Sequence, residues 1–411
     1  MARKLMQDFQ NTYNYTVALE ELNDNDLVEN INISNNITAS EIVSLEATII
    51  FIEGISVKYE NLKKRKIISL EDVNDLKNEI NTSLNGSSYN INQLFPSLEN
   101  INDPYVALEG IGDSISSVIL GISKGISKML SNISNTIGYI TTFIDSQAKI
   151  VSILKQRINE SGIKDDTELK LNHSKYYSYD NSKYITSISE YQKKFTETVN
   201  ILSSFNTLST KFLSDLRLEE LNLKILFDFD TRLINNFNIL IDFMTNVSKE
   251  INMKEVNSDN DINYFSSSHF LGMGKIVKNE AKKGLVDKTD VKSIKKNYRK
   301  YSIEFVNSGV KRPVDKLTIK NGSIKDLNKI LDDVSVLLVS YKPMHSLINK
   351  YHVLNSNVLS SHLYKHLPAL ALMKLMIHLA DITSDTVASS FISSRNNMKT
   401  ACDLVNFTLK P

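Results

Sequence analysis

The chain has one cysteine, Cys402, and no tryptophan in 411 residues, and only six prolines and 13 glycines. A lone thiol closes no internal disulfide and builds no cysteine-ligated zinc centre, which excludes a disulfide scaffold and a zinc ribbon. Few prolines and glycines mean few breaks, so long uninterrupted elements are expected. Nowhere do 18 uncharged apolar residues follow one another, so no transmembrane span is evident. The opening Met1-Ala-Arg-Lys-Leu-Met-Gln-Asp8 sets no apolar run behind its basic residues, so no secretory leader is expected. What is present suits a globular, mostly helical, cytosolic chain of two or three domains, with 41% hydrophobic and 23% charged residues.

The formal net charge of +1 hides an asymmetry. Up to Glu109 there are 8 Lys/Arg against 17 Asp/Glu, a net of −9, and from Gly110 onward 40 against 30, a net of +10. Charge separated in this way points to a removable or mobile acidic arm, or to a body that meets a polyanion. The densest basic stretch, Gly272 to Lys300, has ten Lys/Arg against three acids. Lys275, Lys278, Lys282, Lys283, Lys292, Lys295, Lys296, Arg299 and Lys300 are its candidate contacts to nucleic acid. The plainer reading is that they keep a surface solvated.

Along the chain, Ile42, Leu45, Ile49, Ile52, Val57 and Leu62 recur at mostly helical intervals between Ser40 and Lys66. Ser69 and Asp72 carry the spacing of a helix start. From Asn85 to Pro104 the pairs Asn85-Gly86, Phe95-Pro96 and Asp103-Pro104 read as turns and extended chain, which puts the main boundary there. Ile115, Ile119, Ile122, Ile126, Ile133, Ile137, Ile140 and Ile144 then mark one long amphipathic helix from Asp113 to about Ile158. Gly121, Gly125 and Gly138 inside it suggest close packing against a neighbour, or a helix that can rearrange. The tyrosines Tyr176, Tyr177, Tyr179 and Tyr184 sit in a polar connection, where they either cover a bundle edge or stack on bases.

Helices are expected over Lys183–Leu213 and Glu219–Lys249, followed by a polar linker from Asn257 to Asn263. The period then shortens. His269–Lys278, Tyr301–Asn307 and Lys316–Lys320 are β-like runs, Ser323 is an N-cap, and Lys325–Tyr351 and Pro368–Leu409 close the chain as helices.

No constellation of catalytic residues stands out. His362 and His366 have a metal-binding spacing but no adjacent Glu and no third ligand fixed by spacing with His345, His352 or His378, so a surface or capping role is expected. Cys402 lies among Met398, Ala401, Leu404 and Val405 and reads as a small core residue. Gly272-Met-Gly274-Lys275 lacks the rest of a phosphate loop and reads as a turn. No catalytic residue, metal or cofactor is expected.

One short pattern exceeds chance. Small-Leu-Glu occurs as Ala18-Leu19-Glu20, Ser44-Leu45-Glu46, Ser69-Leu70-Glu71, Ser97-Leu98-Glu99 and Ala107-Leu108-Glu109, always within the acidic arm and nowhere after it. Helix capping accounts for Ser69 and Ser44. Ser97 and Ala107 stand beside prolines, in a stretch a protease would bind extended.

Together with Val106-Ala-Leu-Glu-Gly-Ile111, the long helix to Ile144 and Lys149-Ile-Val-Ser-Ile-Leu-Lys-Gln-Arg-Ile158, this arm resembles the inner-head proteins of giant tailed phages of the phiKZ-like kind. The resemblance is one of pattern over most of the chain and of residues over a short part. Relatives carry tryptophans and more lysines in the long helix, which this chain lacks. The resemblance implies cleavage by the phage prohead protease after Glu, at Ala107-Leu108-Glu109 before Gly110 and at Glu99, Glu71, Glu46 or Glu20.

The expected fold class is mainly α, a long-helix bundle with a small inserted β element (α+β). The expected divisions are 1–109, an acidic propeptide; 110–260, a long-helix domain; 261–322, a small basic β element; and 323–411, a helical region. The expected function is a non-enzymatic virion protein of the capsid interior, present in the host cytoplasm during assembly, whose partners are packaged double-stranded DNA or other head proteins. Two other readings stay open: a membrane-active or pore-forming protein that exposes Ile115 to Ile144, and a cytosolic helical interaction scaffold.

Overall fold

The computed structural model describes residues 42, 45–84, 103–160, 168–172, 174–179, 183–217, 228–307, 316–351 and 369–409. The fold is mainly helical with small antiparallel sheets in the C-terminal half. The helices are α1 (45–63), α2 (Leu70–Leu84), α3 (Pro104–Glu160), α4 (Ile188–Asp215), α5 (Phe229–Glu250), the short α6 (Val291–Asn297), α7 (Ile324–Tyr341) and α8 (Ala369–Thr408). The strands are β1 (Glu168–Asn172), β2 (Ser178–Tyr179), β3 (Lys183–Tyr184), β4 (Lys254–Ser258), β5 (Ile262–Ser266), β6 (Gly274–Ala281), β7 (Ser302–Asn307) and β8 (Lys316–Lys320).

The long helix begins nine residues before the periodicity placed it. Asp103 Oδ1 accepts from Tyr105 N at 2.8 Å and Val106 N at 3.4 Å, satisfying amides that the first turn leaves without partners. Pro104, lacking an N–H, suits the first helical position. Asp103-Pro104 is therefore a helix start and not a turn, and the proposed boundary between 109 and 110 falls inside α3. Ile111, Ile122, Met129, Ile137, Ile140, Leu154 and Ile158 lie at 0% exposure along one stripe of it.

The described part of the acidic segment, residues 45–84, belongs to the same interior. Leu45, Ile49, Ile52, Ile55, Leu62, Val73, Leu76 and Ile80 join one continuous buried cluster that runs on to Leu409. Val57, expected on the apolar seam, is 60% exposed, and Ile55 takes its place. A capping box opens α2, with Asp72 N donating to Ser69 Oγ at 3.1 Å and Ser69 N to Asp72 Oδ2 at 3.2 Å. These bonds from Ser69 hold the Asp72 carboxyl below its usual range.

Two glycines of α3 receive α1. A Cβ at Gly125 would lie 2.6 Å from Leu45 Cδ2, and one at Gly112 would lie 2.5 Å from the Tyr59 hydroxyl. Since 112 to 125 on α3 matches 59 to 45 on α1, the two helices run antiparallel at close approach. The later half of α3 meets the C-terminal helices. Phe143 stacks edge-on against Phe391 at 5.3 Å, Gln147 Nε2 donates to Cys402 Sγ at 3.2 Å, and Lys155 pairs with Asp332 at 2.7 Å. Between α4, α7 and α8, Tyr341 Oη donates to Ser394 Oγ at 2.8 Å and Asn206 Nδ2 to Ser340 Oγ at 3.1 Å. Burial pushes the Tyr341 phenol up to about 12.

Strands β4-β5-β6-β7 form one antiparallel sheet, in that order. The segment 257–263, expected as a linker, instead forms the end of β4, a turn and the start of β5. Asp259 Oδ1 accepts from Asp261 N and Ile262 N at 2.8 and 2.7 Å and makes the reversal. The division at 260/261 therefore cuts a hairpin. Strand β8 leaves this sheet and pairs with β1, Leu169 opposite Ile319. The run expected from His269 is a turn before β6, where Phe270 N donates to Gly274 O at 2.9 Å and Gly272 has φ +81°. A Cβ at Gly274 would lie 2.1 Å from the Phe270 ring.

Candidate functional site

The basic stretch divides into three populations. Strand alternation sends Ile276 and Lys278 inward together. The Lys278 side chain is 1% exposed, its Nζ 2.6 Å from Glu280 Oε2, 3.1 Å from Met244 O and 4.5 Å from the Phe265 ring centroid. Burial lowers its pKa, and Glu280 opposes that shift. Lys278 is a buried strut, so its assignment as a nucleic-acid contact is wrong.

Lys300 and Arg299 are occupied by acids. Lys300 Nζ lies 2.6 Å from Asp261 Oδ2, and Arg299 Nη2 lies 3.1 Å from Glu46 Oε1. The third population is exposed: Lys283 in the loop after β6, and Lys292, Lys295 and Lys296 on α6. Helix α6 starts at Asp290, whose carboxylate accepts from Lys292 N and Ser293 N at 3.0 and 3.1 Å. Its apolar anchor, Ile294, is fully buried. With the anchor inward, the lysines at 292, 295 and 296 project from the opposite side as a compact cationic surface. Lys275 and Lys282 are half-buried.

The small-Leu-Glu sites within the described residues are less open than their sequence context suggested. Ala107 and Leu108 are 6% and 5% exposed within α3, and Glu109 and Gly110 follow in the same helix. A protease that binds its substrate extended would have to unwind the first turns of α3 and draw both residues out of the core. The expected cut after Glu109 is thus incompatible with the folded chain. Glu46 follows buried Leu45 in α1 and pairs with Arg299, while Glu71 is exposed in the first turn of α2. Ser97, Glu99 and Glu20 lie outside the described residues.

A second ion pair, Lys374 with Glu53, also joins α1 to the body. Exposed pairs of this kind contribute about 0–1 kcal/mol each. Burial of Leu45, Ile49, Ile52, Ile55 and Leu62 contributes about 1.5–3 kcal/mol per side chain. Apolar packing holds α1 in place, and the ion pairs add little to it.

His378 Nε2 lies 2.9 Å from Tyr301 O, with its ring edge-on to Tyr298 at 5.2 Å. Burial lowers its pKa to about 4. His352, His362 and His366 lie outside the described residues, among which no group of three His, Cys, Asp or Glu side chains is placed to hold a metal. Of the tyrosine cluster, Tyr177 is buried against Tyr191 at 5.9 Å, and Tyr179 Oη donates to Glu190 at 2.6 Å. Both cover the bundle edge. The hollow lined by Tyr176, Phe270, Phe305, Ile392 and Asn396 encloses about 240 Å³ and has no acidic, histidine or cysteine lining among the described residues. Helix α3 contains an 18-residue window apolar enough to cross a membrane by length and composition, with mean hydropathy 1.4. Its isoleucines from Ile115 to Ile144 are spent in the core.

No protein-family model, curated protein or solved structure matches this chain.

Proposed function

We propose that the chain is a non-enzymatic structural protein of a tailed-phage head interior, cut by the prohead maturation protease after Glu99 rather than after Glu109. The observation that carries this reading is the confinement of all five small-Leu-Glu tripeptides to the acidic first quarter. Glu46, Glu71 and Glu109 would each require a helix to unwind. The final cut therefore goes to Glu99, which Pro96 and Pro104 flank in sequence, with Glu20 an earlier one. A cut there separates a segment of 8 Lys/Arg and 15 Asp/Glu, net −7, from a body of 40 and 32, net +8.

The exposed lysines 283, 292, 295 and 296 would meet packaged double-stranded DNA through its phosphates, without sequence preference. Assembly takes place in the host cytoplasm and storage inside the virion, beside other head proteins. N-terminal sequencing and intact mass of the protein recovered from its natural particle test the reading. Asn100 is the expected first residue. An intact Met1 or Ala2 overturns processing, and Gly110 overturns the choice of Glu99.

A second reading, a cytosolic helical interaction scaffold, is favoured by one observation: the apolar residues of α1 and α2 share the core of the body. Recovery of the uncut chain from cytosol in a stable complex with host or phage proteins would support it.

A further inference from the structure

At Gly112 and Gly125 helix α3 is a fitted seat for a two-helix ligand, and residues 45–84 occupy it. Leu45 fills the space over Gly125 and Tyr59 the space over Gly112, so the side chains of α1 enter where α3 has none. The two notches lie 13 residues apart on α3 and their two knobs 14 apart on α1, which fixes antiparallel register at both ends of the contact. Glu46 with Arg299 and Glu53 with Lys374 then tie α1 to two further parts of the body, the turn after α6 and helix α8. At the turn of the hairpin, Lys66 O accepts from Tyr105 Oη of α3 at 3.5 Å, and α2 packs against α3 with Val73, Leu76 and Ile80 buried. Every one of these contacts is made by side chains or backbone outside residues 85–102.

We propose that the α1–α2 hairpin binds the body independently of the covalent link between them, so that a chain cut within 85–102 persists as a tight two-chain complex. The inference takes its biological occasion from the cut after Glu99 proposed above, but the interface itself does not depend on that cut taking place. It reverses the role of the acidic segment. Instead of leaving, the hairpin remains as a non-covalent subunit that keeps the apolar face of α3 covered and Arg299 and Lys374 occupied. The ligand this seat recognises is thus a helical hairpin with a leucine and a tyrosine fourteen residues apart and acids at the first and eighth positions after that leucine.

The test is made on the full-length protein with a sequence-specific protease site substituted into 89–94. After complete digestion, the two fragments are run on size exclusion in 0.15 M and in 1 M NaCl. Co-elution at both salts is expected, because packing rather than charge holds the seat; separation at 0.15 M overturns the proposal. Dissociation of the cut complex is then timed by exchange against labelled, cut protein. Gly112→Ala with Gly125→Ala is expected to speed release at least tenfold, while Gly121→Ala, where an added Cβ meets nothing within 4 Å, leaves it unchanged. Equal rates for these two variants overturn the role of the notches. Should the double glycine variant fail to fold, Leu45→Ala removes the knob instead and is expected to act in the same direction. Sequencing of the natural protein addresses the cut after Glu99, so failure of either claim is seen separately.

Discussion

The hairpin α1–α2, which lies in the acidic first quarter, and the basic stretch from Gly272 to Lys300 both belong to segments marked out by charge, and the structure treats them in opposite ways. In the hairpin, the charges decorate the outside of an apolar seam that belongs to the common core. In the basic stretch, the charges themselves are sorted: Lys278 is buried on a strand, Arg299 and Lys300 are neutralised, and Lys283, Lys292, Lys295 and Lys296 face solvent. Net charge counted along a chain measures neither detachment nor availability. What decides both is whether the neighbouring apolar positions, at period 3.6 or period 2, point the segment inward.

That contrast can be broken most sharply at Ile49. If α1 belongs to the core, Ile49→Ala lowers unfolding stability by about 2–5 kcal/mol, read from urea denaturation of the whole chain. A disposable arm would give almost no change. The next effect is one of pH. The unfolded imidazole of His378 takes up its proton near 6.5, the folded one only near about 4. As pH falls through that window the unfolded chain binds the proton first, so stability drops, by up to about 3 kcal/mol once pH is below 4. A His378→Gln variant, measured by denaturant midpoints at pH 5 and 7, is expected to flatten that slope.

On the basic side, Lys278→Ala leaves Glu280 and the Met244 carbonyl without their donor and costs about 1–3 kcal/mol. Lys278→Met, which fills the same space without charge, is expected to cost less. Glu46→Gln is expected to change stability by no more than about 1 kcal/mol in thermal melts, since its partner Arg299 is half exposed. Smallest in stability is the triple change of Lys292, Lys295 and Lys296 to Gln, within about 0.5 kcal/mol. Its effect belongs to polyanion binding, where the slope of log affinity against log salt for duplex DNA is expected to fall by about 3. An unchanged slope would remove α6 from the proposed contact surface.

The helices were legible because their apolar spacing is regular. Ile115 to Ile144 marked the spine of α3, Ser69 and Ser323 marked their N-caps, and Lys316–Lys320 appeared as the strand it is. The start of α3 was hidden because Asp-Pro serves equally as a turn and as an N-cap followed by the first helical residue. The β4–β5 hairpin was missed because Lys254–Ser258 has no buried residue, so its strand character comes from pairing with β5 and leaves no hydrophobic pattern. The fate of Lys278 depended on sheet alternation that the charge of its neighbours obscured. Gly125 was read as a site of close packing, as it is, but the identity of its partner, Leu45, is a contact across 80 residues that no local pattern encodes.

At 1.5 Å per residue, the 57 residues of α3 make a rod about 86 Å long. Its two halves acquire their coats at different moments of synthesis. The stretch from Gly112 to Gly125 finds α1 and α2 already made when it leaves the ribosome, whereas Phe143 and Gln147 wait for Phe391 and Cys402, more than 240 residues later. At about 5–20 residues per second that wait lasts roughly 10–50 s. The hairpin thus shelters the leading half of a nascent greasy rod, and the trailing half waits for α7 and then for α8.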